Sequence, residues 1–200
     1  MTSIENTTAE QGHLEQQISA ACKENNLSEV LVLLAQVADC NLPRIDGEIP
    51  IMWAALEGHK EVVSLLLIRG ADCNYQDDED LTPLLNASLN GHVEVAKLLI
   101  ASGADCNCQM LGGWTPLLNA SKNGHVEVAK LLIASGADCN YQTSNGWAPL
   151  HTASLEGHVE MVRLLLHCGA NPTLLLRSRE NAWTLAKQNG HAEVMSLLTP

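Results

Sequence analysis

The stretch TPLLNASLNGHVEVAKLLIASGADCN at 82–107 returns at 115–140 as TPLLNASKNGHVEVAKLLIASGADCN, altered only where Leu89 is replaced by Lys122. The step is 33 residues, and it continues in both directions. Pro50, Pro83, Pro116 and Pro149 keep it. So do the pairs Gly58-His59, Gly91-His92, Gly124-His125, Gly157-His158 and Gly190-His191. Gly70, Gly103, Gly136 and Gly169 form another column, and Cys40-Asn41, Cys73-Asn74, Cys106-Asn107 and Cys139-Asn140 a further one. A period of this length marks a stacked architecture, in which each unit buries its apolar face only against its neighbours.

Each copy carries its own punctuation. Thr82-Pro83 predicts a helix start: Thr can accept from free N–H groups, and Pro suits the first helical position, where no N–H is needed. A short apolar helix follows over Leu84 to Leu89 and stops at Gly91, which can take the left-handed conformation of a helix end. A second helix starts after His92, with Glu94 placing negative charge in its first turn. Val95, Leu98 and Leu99, three and four residues apart, mark its expected buried face. Gly103 ends it, and Ala104-Asp105-Cys106-Asn107 turns into the next copy.

Composition agrees with thin layers. Of the 200 residues, 46% are hydrophobic and 17% charged, which fits neither a disordered acidic tail nor a membrane protein. Aromatics are only 3%, with no Phe, so packing rests on Leu, Ala, Val and Ile. Eleven basic against 23 acidic residues give a net charge of -12. That sign opposes binding along a phosphate backbone, so no nucleic-acid partner is expected, and it favours basic or neutral partners. The N-terminus has neither a charged n-region nor an apolar h-region. Apolar runs such as Val30 to Ala35 fall well short of the roughly 20 residues of a bilayer span, so no membrane insertion is expected. Seven Cys, an odd number without a secretory signal, read as reduced thiols inside a cell. Cytoplasm or nucleus is expected, with export as an effector left open.

In combination these elements resemble the ankyrin repeat family. The resemblance rests on Thr82-Pro83-Leu84, Thr115-Pro116-Leu117, Ala148-Pro149-Leu150-His151, the Gly-His-x-Glu-Val elements, and Gly-Ala-Asp-Cys-Asn at 103–107 and 136–140. It implies an all-α solenoid of helix-turn-helix units joined by β-hairpin-like turns. Six copies are expected at roughly 14–43, 44–76, 77–109, 110–142, 143–175 and 176–200, after a disordered segment 1–13. The ends depart from the pattern, as terminal repeats facing water do. The first copy reads as Asn26-Leu27 in place of Gly-His and one residue short before Asp39. The last has Asn181-Ala182 for Thr-Pro and stops after its second helix. The family's His after Thr-Pro-Leu is replaced by Leu85 and Leu118, so those two loops must be held otherwise, with Asn86 and Asn119 as candidates.

Motifs for chemistry are sparse. His-x-Glu at His92-Val93-Glu94, His125-Val126-Glu127 and His158-Val159-Glu160 lacks the Pro-Cys-x-x-Cys of a zinc deaminase. It also recurs once per copy, as a scaffold element does. Stacked helices lie about 8–10 Å apart, whereas a disulfide needs Cα atoms about 4.4–6.8 Å apart and zinc needs thiolates within about 2.3 Å. Equivalent Cys therefore do not pair, and each is expected to fill a small apolar slot. The His column reads as loop-bracing hydrogen bonds. No phosphate-cradling, nucleophile-elbow, zincin or calcium-loop motif is present, and Asp77-Asp78-Glu79-Asp80 reads as a solvated loop. No catalytic residue, metal or cofactor is expected.

The resemblance implies a concave contact surface built from turn tips and from the two residues before each Gly-His. On this chain it implies the partner-binding set Glu48, Leu56, Glu57, Tyr75, Leu81, Leu89, Asn90, Trp114, Lys122, Asn123, Tyr141, Trp147, Leu155 and Glu156. Leu81, Trp114 and Trp147 would form an apolar row, with Leu56, Leu89 and Leu155 beside it; such rows usually meet a partner. The acidic residues around it favour a ligand with Lys or Arg near its apolar anchors. The expected function is a monomeric, non-catalytic adaptor or scaffold that binds a protein or peptide segment. Packing of Trp114 and Trp147 over the neighbouring turn is the alternative role for those rings. A second class is a substrate of asparaginyl hydroxylation at Asn74, Asn107 and Asn140, each with Leu eight residues earlier and Asp two earlier. An enzyme using Cys and His is the remotest reading.

Overall fold

A computed structural model describes residues 2–37, 39–41 and 49–199. Its described helices come in pairs, one pair per copy: α1 (Thr2–Lys23) with α2 (Leu27–Leu34), α3 (Pro50–Glu57) with α4 (Lys60–Ile68), and α5 (Pro83–Asn90) with α6 (Val93–Ala101). Then follow α7 (Pro116–Lys122) with α8 (Val126–Ala134), α9 (Pro149–Glu156) with α10 (Val159–His167), and α11 (Ala182–Gln188) with α12 (Ala192–Leu198). Odd-numbered helices pack on odd-numbered ones and even on even, so two rows of helices lie side by side. This is the expected solenoid.

The local signals act as their chemistry requires. Thr82 Oγ1 accepts from Leu85 N at 3.2 Å, and Thr115 Oγ1 from Leu118 N at 3.3 Å. Asn181 does the same work in the last copy, accepting from Thr184 N at 2.9 Å. Ala148 has no side-chain acceptor to offer, and there His151 Nδ1 accepts from the Ala148 N–H at 3.1 Å. Gly58 ends α3 at φ 79, and a Cβ there would lie 2.5 Å from the ring of His92, so glycine is needed for space as well as for backbone sign.

Side chains then tie copy to copy. Each helix-capping His donates its Nε2–H to a carbonyl of the previous copy: His59 to Lys23, His92 to Leu56, His125 to Leu89, His158 to Lys122 and His191 to Leu155, at 2.8–3.1 Å. The hairpin Asn clamps forward. Asn74 Nδ2 donates to Gly103 O at 3.0 Å while its Oδ1 accepts from Asp105 N at 2.8 Å. Asn41, Asn107 and Asn140 repeat both bonds. Between the two rows lies the apolar core. Val62, Val95, Val128, Met161 and Val194 form one buried column, and Leu66, Leu99, Leu132 and Leu165 another. Each such Leu contributes about 1.5–3 kcal/mol by leaving water.

Four expectations change. Helix α1 begins at Thr2, where a disordered segment 1–13 was expected; once Ile18, Ala21 and Cys22 are anchored in the core, extending the helix toward the N-terminus needs no new nucleus. The first copy is in register. Asn25, at φ 56, takes the glycine position, and Asn26 N bonds Ala21 O as His59 N bonds Ala54 O. Asn tolerates the left-handed region, and Asn26 caps α2 through its own side chain, accepting from Glu29 N at 3.2 Å. On α6 the buried residues are Val95, Ala96 and Leu99, while Leu98 is only half-buried. Asn86 braces no loop of its own: its Nδ2 donates to Met52 O in α3 at 3.3 Å. Asp77 holds that loop instead, its Oδ1 accepting from Glu79 N and Leu81 N.

Candidate functional site

The hairpins decide where the tip residues point. Each closes through a backbone bond: Asp77 N to Leu81 O, Met110 N to Trp114 O, Thr143 N to Trp147 O and Leu176 N to Glu180 O, at 2.8–3.1 Å. Leu81, Trp114, Trp147 and Glu180 are thus the closing residues, each standing just before an odd-numbered helix. Two pairs of neighbouring hairpins are also joined, by Leu111 N to Glu79 O and by Arg177 N to Asn145 O, both at 3.1 Å. Gln142 Nε2 adds bonds to Gly146 O and Leu175 O. The tips are therefore braced in two pairs, 77–81 with 110–114 and 143–147 with 176–180.

On that face Trp114, Lys122, Trp147, Thr152, Leu155 and Glu156 line a cavity of about 260 Å³. Both indoles are half-buried, neither sealed inside nor free. Trp147 stands edge-on to His151, ring centroids 6.4 Å apart. His151 Nε2–H donates to Leu174 O at 2.9 Å, and burial holds this imidazole below its usual pKa. The Lys122 ammonium sits 5.4 Å from the centre of the Trp114 ring. The single departure within the duplicated stretch therefore lies on the indole of its own copy, whereas Leu89 one copy earlier is 40% exposed.

The structure brings Trp114, Lys122, Trp147, Leu155 and Glu156 together around this cavity, and the other described residues of the expected contact set lie outside its lining. Leu81 and Tyr75 are half-buried against the core. Leu56 is half-buried, and Glu57, Asn90 and Asn123 are exposed. The two amides are spoken for, Asn90 Nδ2 by Asn86 O and Asn123 Nδ2 by Asn119 O. Tyr141 is half-buried beside Gly113. Glu48 lies outside the described residues. Asn74, Asn107 and Asn140 are exposed, yet engaged at both ends of their amides as described above.

Two contributions escape a reading by repeat position. Thr152 lines the cavity one helical turn before Leu155, in the column of Asn86 and Asn119. Lys23 lies 4.5 Å over the Trp53 ring and stands 33 residues before Leu56, in the same column as Lys122; the altered letters of the first copy conceal its register.

Cys22 and Cys108 are poorly set up as nucleophiles. Burial pushes Cys22 up to about 12 and Cys108 up to about 11, and only a thiolate attacks readily. Cys73 Sγ reaches Ser102 O and Cys139 Sγ reaches Cys168 O, both at 3.4 Å, so the Cys column adds weak inter-copy bonds beyond the expected apolar filling. Among the described residues no three His, Cys, Asp or Glu side chains group to hold a metal ion, and no helix is long and apolar enough to cross a membrane.

Paired helices at a fixed step, His and Asn rungs between copies, and an open face of braced tips define a helical repeat solenoid. A family model described as Ankyrin repeats (3 copies) matches residues 18–110 and again 102–175. The chain belongs to the ankyrin repeat family, whose repeats are generally protein-interaction modules. A search of curated proteins finds no match.

Proposed function

We propose that the odd-helix face is a contact surface for a protein or peptide segment, and that the chain works as a monomeric, intracellular adaptor without catalysis. The cavity between Trp114 and Trp147 carries this reading, because large rings left half-exposed around an apolar hollow are where binding energy concentrates. The braced tips support it too, since a surface ordered beforehand loses little freedom on binding.

The test is the double variant Trp114→Ala with Trp147→Ala. Each ring is expected to contribute about 2 kcal/mol to binding, so capture of partners from cell extract should fall at least about a hundredfold. Stability should fall by only about 1–2 kcal/mol, because both rings are half-exposed. Capture that survives the double change, or that is lost only as far as the fold is lost, overturns the reading.

Asparaginyl hydroxylation is a second reading. The exposure of Asn74, Asn107 and Asn140 favours it. A modifying enzyme would first have to break both inter-copy bonds at each. Peptide spectra of the protein from its own cell, with no added oxygen on any of the three, would remove it.

A further inference from the structure

Ion pairs link many of the charged side chains on the even-numbered helices. Lys97 meets Glu94 at 2.6 Å, Lys130 meets Glu127 at 2.7 Å, Arg163 meets Glu193 at 3.0 Å, and Lys60 adds a longer contact to Glu94 at 3.7 Å. On the odd-helix face, Lys122 and Glu156 line the same cavity, are both exposed, and form no ion pair with each other or with any other described residue. The Trp114 ring holds the Lys122 ammonium in place without neutralising it. The matching positions in the copies on either side are Leu89 and Leu155, so Lys122 alone carries a charge there among these three copies; Lys23 holds the same column position in the first copy.

From this arrangement we infer that the cavity reads charge order: it takes an extended peptide segment in which one apolar anchor is bracketed by a carboxylate facing Lys122 and a cation facing Glu156. The inference rests on the groove-binding reading above and sharpens it. A segment carrying only basic residues would set a cation against Lys122. The scale also fits a peptide. Lys122 ends α7 and Glu156 ends α9, and neighbouring helices of such a stack lie about 8–10 Å apart. An extended chain advances about 3.3 Å per residue, so the two charges are matched by residues about three apart, with the anchor between them. A hollow of about 260 Å³ suits one large side chain and falls below the roughly 300–1,000 Å³ of small-molecule pockets. The two opposite charges also fix chain direction, which apolar contact alone does not.

The experiment is selection of a displayed library of random twelve-residue peptides on the full chain. It is run in parallel on the Lys122→Glu/Glu156→Lys double swap and on the Trp114→Ala/Trp147→Ala variant, with circular dichroism confirming that each is folded. The expected result is enrichment of peptides with an apolar residue flanked by Asp or Glu on one side and Lys or Arg on the other, in one constant order. The swap should reverse that order. Each matched charge should change the affinity of a selected peptide up to about fivefold at low salt, and less as salt is raised. Enrichment of apolar anchors without charge order, or an order the swap leaves unchanged, overturns the inference and leaves the groove reading standing. Enrichment no greater than on the variant lacking both indoles overturns both.

Discussion

Replacing Asn107 by Ala tests how the copies hold together. Asn107 Nδ2 donates to Gly136 O at 3.2 Å and its Oδ1 accepts from Asp138 N at 3.0 Å, so one amide joins the third copy to the fourth. Asp138 and Gly136 are both exposed, and water can replace some of what is lost. Each bond is therefore worth about 0.5–1 kcal/mol, and the substitution should destabilise the chain by about 1–2 kcal/mol. For a chain of this length that is about 3–6 °C in Tm. The effect falls on one joint of a one-dimensional stack, so the two halves should also begin to uncouple. Trp114, Trp147 and Trp183 lie on the C-terminal side of that joint and only Trp53 on the other, whereas helical circular dichroism reports both halves. Urea transitions followed by fluorescence and by circular dichroism should coincide in the parent and separate in Asn107→Ala. The control is Asn90→Ala, which removes a bond within one helix, to Asn86 O at 3.0 Å, and should lower the midpoint without separating the probes. A loss under about 0.3 kcal/mol with coincident transitions, well below the range for a hydrogen bond, would refute the amide as a coupling element.

Other substitutions probe single features. Gly146→Ala would set a Cβ 2.9 Å from both the Leu175 carbonyl and Leu176 Cα at φ 88; it should cost about 2–3 kcal/mol. Gly103→Ala, at φ 93 with open space around it, should cost about 1 kcal/mol, and equal losses in denaturation curves would contradict the packed-hairpin account. Ser121 is fully buried and its hydroxyl has no partner among the described residues; Ser121→Ala should stabilise by about 1 kcal/mol, and a loss in urea midpoint would show that the hydroxyl is satisfied. His151 is held neutral by burial, below the ordinary value of 6.5. As pH falls below about 6.5 the unfolded chain binds a proton that the folded chain resists, so stability declines with acidification until pH drops below the folded-state value. His151→Leu, the residue found at 85 and 118, should reduce the stability difference between pH 7.5 and pH 5; an unchanged difference counts against the buried imidazole as its source.

Some features were legible because a few neighbouring residues decide them. Thr82-Pro83 and Gly91-His92 set helix limits through caps and backbone sign, and both behave as read. The first copy misled because chemistry was kept while letters changed: Asn25 accepts the left-handed region that glycine usually fills, and Asn26 caps where His otherwise reaches back. The assignment of Asn86 failed for another reason. Its partner, Met52 O, is 34 residues away and one copy back, so its direction follows from how the copies dock.

The sequence by itself determined the repeat, its period, the helix pair in each copy and the residue columns that face outward, because these follow from spacing and local conformational preference. Only the tertiary structure decided which members of those columns share a site. Trp114, Trp147, Lys122 and Glu156 meet around one cavity while Leu81 and Tyr75 settle against the core. The physical reason is that a column specifies direction only, whereas burial, cation–ring contact and ion pairing depend on the distance between side chains of adjacent copies, which docking sets.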